Sequence, residues 1–285
     1  MRISKIGLRL GYMHPKHALH EYNEYSLGKG WTLVKGANGT GKTALVNAIS
    51  CVLECPNFVG WPNFNPDFSD GGGRIALDFF QDNTKVTVTK KWEDNEDPPS
   101  SIYSNGLWHP ASEKIVKPFF VSYDYPPQVG CFNENEIACL ESLTEKNPQV
   151  IDEINSLIAS ASFTHGLKIH IQSSSLVVLR DELIDNLGMG EEVVVRLAVL
   201  SAINKYTGAP LIWDNWYRGL SEHHIQGVYN FLATLKEECP DGQFIFTQAI
   251  HPEWASESEY HRRRVGLEDY IDNVVTLSTG DQYIE

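Results

Sequence analysis

The sequence predicts an α/β fold built around a parallel sheet, and three observations predict it. Residues 36–43 read Gly-Ala-Asn-Gly-Thr-Gly-Lys-Thr, a complete G-x-x-x-x-G-K-[ST] loop between a short apolar run and a helical one. In the last third of the chain, apolar strand-like runs alternate with helical stretches, the pattern of a layered sheet with parallel strands. Two runs near residue 80 alternate at period two and form a hairpin.

Each element follows in order. Residues 1–10 alternate like a strand. Trp31–Val34 is a short apolar strand, the glycine loop comes next, and Ala44–Ile49 continues as a helix. Arg74–Phe80 and Lys85–Lys90 pair across the polar turn 81–84. Residues 91–112 are polar and carry Pro98-Pro99, which predicts a loop or irregular excursion. Lys114–Val121 reads as a strand that ends at the Pro126-Pro127 break. From Glu134 to Ser162 an apolar stripe at helical spacing is interrupted at Asn147-Pro148. Strands return at 167–171 and 176–179. The alternating third then places helices at 191–205 and 221–238, with strands at 210–213, 243–247 and 274–278.

The loop has a specific chemistry. Its glycines let the backbone wrap closely enough to aim successive N–H groups at phosphate oxygens. Lys42 is placed to bridge β- and γ-phosphates, and the Thr43 hydroxyl is a Mg²⁺ ligand. The helix that follows adds the partial positive charge of its N-terminus. Gly36, Asn38, Gly39, Thr40, Gly41, Lys42, Thr43 and Ala44 are therefore the expected nucleotide contacts, with ATP and Mg²⁺ as ligands. Ala209-Pro-Leu-Ile-Trp-Asp214 is an apolar strand ending in an acid, which puts Asp214 beside Thr43 to hold Mg²⁺ through its water shell, an ordinary strand-end Asp being the other reading.

Upstream of that strand stands Asn186-Leu-Gly-Met-Gly-Glu-Glu192, opening the helical run 193–203. Downstream come Arg218-Gly-Leu-Ser221 and the strand Gln243–Gln248 with its polar tip. In order, these motifs resemble the head domain of ABC-type ATPases, and more narrowly the SMC/RecF group that acts on chromosomes, repair and phage defence. The hairpin Gly-Gly-Gly-Arg-Ile-Ala-Leu-Asp-Phe (71–79) is similar to that group's first lobe. The resemblance covers residues 1–90 and 165–280. It implies a P-loop NTPase of ABC type with a mixed sheet lobe and a helical lobe. It implies one domain over 1–285: a first lobe to about 90, an insertion over 91–165 and a second lobe over 166–285. The coiled-coil arms of that group are missing, since no heptad run lies between Lys42 and Gly188.

The same resemblance assigns the remaining positions. Gly188, Gly190 and Glu191 fall in the signature that contacts nucleotide on a facing subunit, with Gly188 where that group has serine. Asn215 occupies the place of the catalytic glutamate, Ser221 that of an aspartate, and Gln248 that of the switch histidine. Gln128 is the candidate for the glutamine loop, a surface turn being the other reading. A glutamate accepts a proton from the attacking water or orients it, whereas an amide cannot take the proton. The expectation is ATP binding with slow hydrolysis, and pairing of heads across ATP, either between two copies or with a paralogous head. Glu222, His223 and His251 lie near the relevant loops, as stand-ins for the missing base or as solvated loop residues.

Bulk properties limit the partners. With 23 basic and 37 acidic residues the formal charge is −14, so nucleic-acid contact is restricted to a local patch and a protein effector is the default partner. The dense basic cluster is His261-Arg-Arg-Arg264, for DNA phosphates, an acidic partner or an exposed helix face. No run of about 18 apolar residues exists for a membrane span, and no signal-peptide core precedes the first strand. Cys51, Cys55, Cys131, Cys139 and Cys239 form no CxxC pair, which reads as free thiols in a reducing cytoplasm. His14, His17 and His20 lack a zinc frame and read as a solvated loop. Trp216 and Tyr217 cover the nucleotide, meet a partner or pack in the core.

Overall fold

The computed structural model describes residues 2–10, 19, 21–53, 73–81, 84–92, 101–104, 107–110, 119–122, 132, 134–172, 175–180, 182–183, 187–215, 222–249 and 266–278. Gln128, Trp216, Tyr217, Ser221, His251, the histidines His14, His17 and His20 and the cluster 261–264 lie outside them.

Three sheets organise these residues. The first is antiparallel. Strands β1 (Arg2–Leu10) and β2 (Asn23–Ser26) pair with each other, and β1 also pairs with β4 (Gly73–Gln81). The loop strand β3 (Trp31–Gly36) and helix α1 (Lys42–Val52) intervene in sequence. The hairpin of β4 and β5 (Thr84–Trp92) has the expected register, closing at Gln81 opposite Thr84. The expected irregular stretch 91–112 is corrected here: β6 (Ser101–Ser104) and β7 (Leu107–Pro110) extend this sheet to six strands, in the order β2-β1-β4-β5-β6-β7. The polar composition and the Pro98-Pro99 pair concealed them, because short antiparallel strands at a sheet edge need few apolar residues. Strand β2 was likewise not expected from the sequence.

The second sheet is the parallel one. Strand β8 (Phe119–Ser122) forms one edge. Helices α2 (Glu134–Lys146) and α3 (Val150–Ser160) follow, split where the stripe broke at Asn147-Pro148. A small antiparallel sheet of β9 (Lys168–Gln172), β10 (Ser175–Arg180) and β11 (Glu182–Leu183) leads into α4 (Met189–Thr207). Then come β12 (Leu211–Asp214), α5 (Glu222–Glu238), β13 (Phe244–Ala249), a 3-10 turn over Gly266–Tyr270, and β14 (Asn273–Thr276). The parallel order is β14-β3-β13-β12-β8.

Strand alternation divides the core into two layers. On β3, Trp31 and Leu33 point to one side and Val34 to the other. On β13, Phe244 and Phe246 oppose Ile245, and on β12, Trp213 opposes Ile212. Val34, Ile212 and Ile245 meet Leu45, Val46, Ile49 and Val52 of α1 together with Ile3, Ile6 and Leu8 of β1. The other face carries α2–α5, where Trp31 packs at 5.0 Å on Phe244 and 5.3 Å on Phe246, between ring centroids. Helix α4 is apolar nearly all round, with Val193–Val195 and Leu197–Leu200 buried, because layers enclose it on several sides. It stops at Gly208, whose left-handed φ of 69° lets its N–H reach the Asn204 carbonyl at 2.7 Å.

The Gln243 side chain ties the parallel sheet to the first one. Gln243 Oε1 accepts the Ile3 N–H at 2.7 Å, and Gln243 Nε2 donates to the Ile3 carbonyl at 2.6 Å. The amide reproduces a backbone strand pairing across 240 residues of sequence. Among the described cysteines, Cys139 and Cys239 are free thiols, and burial pushes the Cys239 thiol up to about 11. No described helix is long and apolar enough to cross a membrane.

A Gln243→Leu substitution leaves the buried Ile3 N–H and carbonyl without partners. It is expected to cost about 2–4 kcal/mol, read as a lower urea midpoint at unchanged slope.

Candidate functional site

Three elements of the parallel sheet end at one edge: β3 runs into the glycine loop, β12 ends at Asp214, and β13 between them ends at Gln248 and Ala249. Ligand sites of open α/β sheets lie at this carboxyl edge. The loop turns through Gly39 at φ +79° and Gly41 at φ +90°, conformations that a side chain at either position would strain. The turn is closed on the Ala37 carbonyl, which accepts the Thr40 hydroxyl at 2.9 Å and the Lys42 ammonium at 2.8 Å. Helix α1 begins at once, with the Leu45 N–H on the Gly41 carbonyl at 2.8 Å.

Lys42 is buried at 6% exposure. Burial holds its pKa below the usual lysine value, while the carboxylate of Asp214 acts in the opposite sense. A buried ammonium that leans on one of the loop's own carbonyls suits an anion within reach, and a polyphosphate fits that donor set. Asn38 and Gly39 are exposed at the loop tip, Gly36 and Thr40 are buried at its base, and Ala44 is half-buried in the first turn of α1.

The second half of the site is a polar cluster around Asp214, which is fully buried. The Thr43 hydroxyl lies 3.0 Å from Asp214 Oδ2 and 3.3 Å from Oδ1. The Thr247 hydroxyl donates to Oδ1 and accepts the Asn215 N–H at 2.7 Å. Asn215 Nδ2 donates back to Asp214 Oδ2 at 3.3 Å. Asn215 has φ +50°, the one positive φ of a non-glycine residue among the described residues. Hydroxyl and carboxylate oxygens side by side suit a hard divalent cation such as Mg²⁺, with remaining positions left for phosphate and water oxygens. Among the described residues no group of three or more His, Cys, Asp and Glu could hold a metal on its own.

The structure thus brings Lys42, Thr43, Asp214 and Asn215 together. Gln248 is buried on β13, but alternation puts its Cβ on the face shared with Phe244 and Phe246, opposite Thr247. Gly188, Gly190 and Glu191 stand at the start of α4, on the opposite face of the parallel sheet from α1. There Glu191 Oε2 accepts the Gly188 N–H at 3.0 Å, and its other oxygen pairs with Arg180. Glu222 and His223 open α5, and nothing is described of their side chains. Thr247 is the site residue that sequence reasoning missed. Its signal was a lone hydroxyl inside the apolar run Phe-Ile-Phe-Thr, on the parity that faces α1.

No family model matches the chain, nor does any curated protein. Solved structures do. The SMC head bound to the C-winged helix domain of ScpA aligns with TM-score 0.67 and 17% identity, covering 93% of this chain and 92% of that one. An SMC head with a coiled coil and joint from Pyrococcus yayanosii gives 0.63 and 11%, covering 98% and 96%. The recombination mediator RecF, as RecF-ATPrS in the RecFOR pathway, gives 0.51 and 10%, covering 88% and 93%.

The lowered pKa of Lys42 carries a stability consequence. Its charged form is penalised in the fold, fully so below the folded pKa, and the penalty fades as pH rises toward 10.5. Lys42→Met is expected to leave the protein without nucleotide at least as stable as wild type at pH 7, with the gap closing toward pH 10.5, by urea unfolding. Taken together, the element order, the two core layers and these alignments give the chain the fold of SMC- and RecF-type ABC ATPase heads.

Proposed function

We propose that this chain is an ATP-binding head of ABC type, acting as a nucleotide-gated dimerising switch with slow hydrolysis. The observation that carries the reading is the meeting of Lys42, Thr43 and Asp214 at one sheet edge, under a loop closed on Ala37. The loop N–H groups and the start of α1 bind the phosphates, and the Lys42 ammonium balances their charge. Thr43 and Asp214 hold Mg²⁺, which when bound neutralises charge on the β- and γ-phosphate oxygens. The head is a single domain with lobes over 1–90 and 166–285 and the insertion 91–165 between them.

Dimerisation follows from the signature. The start of α4, from Gly188 through Gly190 to Glu191, is the face that a second head offers to ATP, sandwiching it. The pairing head is another copy or a paralogue, and Gln128 belongs to the same nucleotide face. Hydrolysis is slow because Asn215 has no basic oxygen for the water proton. A general base supplies about 10²–10⁴ in rate. Gln248, in the switch position, orients rather than titrates. The setting is a cytoplasmic complex of the DNA-repair or phage-defence kind, with a protein effector and with DNA at most on a local basic patch. The ScpA-bound SMC head and RecF of the RecFOR pathway support that class of partner.

A second reading is a non-catalytic adaptor whose ATP is structural. It is favoured by the Asn215 amide, which is turned back onto Asp214.

Sizing by light scattering with and without Mg·ATP, for wild type and Lys42→Ala, tests the switch. Mass is expected to double with ATP in wild type alone. Wild-type turnover is expected well below about 1 s⁻¹, and turnover at or above that value overturns the slow-hydrolysis reading. Bound ATP without any turnover, alone or with a partner, favours the adaptor.

A further inference from the structure

The nucleotide reading assigns no role to the hydroxyl of Thr247, which is fully buried beside Asp214. A threonine hydroxyl has one proton to give and lone pairs to receive. Here the proton goes to Asp214 Oδ1, and a lone pair takes the Asn215 N–H at 2.7 Å. Both ends of the hydroxyl are therefore committed to the end of β12.

Its second bond has a consequence for Asn215. That N–H is donated where the chain turns into the left-handed region, at φ +50°, a conformation asparagine tolerates far better than glutamate does. With the backbone held so, the side chain folds back and Nδ2 reaches Asp214 Oδ2 at 3.3 Å. The two Asp214 oxygens then face fixed donors, Thr247 on Oδ1 and Asn215 on Oδ2, with Thr43 reaching both.

We propose that Thr247 is a positioning residue of the nucleotide site. Its hydroxyl fixes the rotamer of the metal-ligating Asp214, and through the turn at Asn215 it assigns that amide to Asp214 instead of to an attacking water. The inference rests on the Mg·ATP reading above and deepens it. Groups that orient metal ligands cost 10–100-fold in metal affinity when removed.

The test uses the full chain with Thr247→Val, which keeps the shape and removes the hydroxyl, and Thr247→Ser, which restores the hydroxyl. ATP affinity is measured by calorimetry in excess EDTA and again with Mg²⁺. Wild type is expected to bind in both conditions and more tightly with Mg²⁺. Thr247→Val is expected to match wild type in EDTA but to lose about tenfold or more of the tightening by Mg²⁺. Thr247→Ser is expected to recover it. A Thr247→Val protein with the wild-type Mg²⁺ response, or a Thr247→Ser protein as impaired as the valine variant, overturns the proposal. Wild type that binds no ATP in either condition overturns the nucleotide reading itself, and this inference with it.

Discussion

A carboxylate taken fully out of water must be surrounded by donors, and Asp214 is that carboxylate. Its donors come from separate elements: Thr43 from the first turn of α1, Thr247 from the end of β13, and Asn215 from the turn after β12. The desolvation cost of one anion therefore ties the loop helix to two neighbouring strand ends. Because β13 lies between β3 and β12, the same contacts set how far the glycine loop stands from the acid. Lys42 adds the opposite charge nearby, and in its buried setting that ammonium is less screened by water than a solvated lysine.

The two faces of the parallel sheet divide the work. On one face α1 and the antiparallel sheet form the bed under the loop. On the other, α2–α5 bury a separate core and carry the Gly188–Glu191 turn. At the far end of β3 a smaller ionic arrangement fixes the strand's start. Asp272 accepts the Trp31 N–H at 2.7 Å and pairs with Lys236 of α5, whose ammonium also lies 4.9 Å over the Trp31 ring. These partners draw the Asp272 carboxyl below its usual value despite its partial burial. Strand β3 is held at both ends by polar contacts and along its length by aromatic packing.

Much of this was legible in the sequence, for identifiable reasons. The glycine loop, the acid at the end of an apolar strand and the alternating last third each carry a local signal, so β3, α1, β12, α4, α5 and β13 were expected close to where they lie. The break at Asn147-Pro148 was equally clear, because proline disfavours helix in the residue before it. Strands β6 and β7 were not legible, since short strands at the end of an antiparallel sheet draw on pairing more than on apolar composition. Thr247 was hidden for another reason. A hydroxyl in a buried strand becomes informative only once the neighbouring strand is known to end in an acid. Nor does sequence reveal that Asn215 adopts a left-handed backbone; its position beside Asp214 suggested a weakened base, not a folded-back amide.

The Gln243 bridge bears on how the molecule is born. The loop strand β3 is hydrogen-bonded on one side to β13 and on the other to β14, and Gln243 clasps Ile3 from 240 positions away. A ribosome exposes β1, β3 and the glycine loop long before any of those neighbours emerges. Until then the loop strand has open edges and the buried acid has not yet been made. Such long-range closure slows folding and leaves unpaired strands at risk of association. The closed sheet edge, with its loop, helix and buried acid in place, is thus a feature that the nascent chain acquires late.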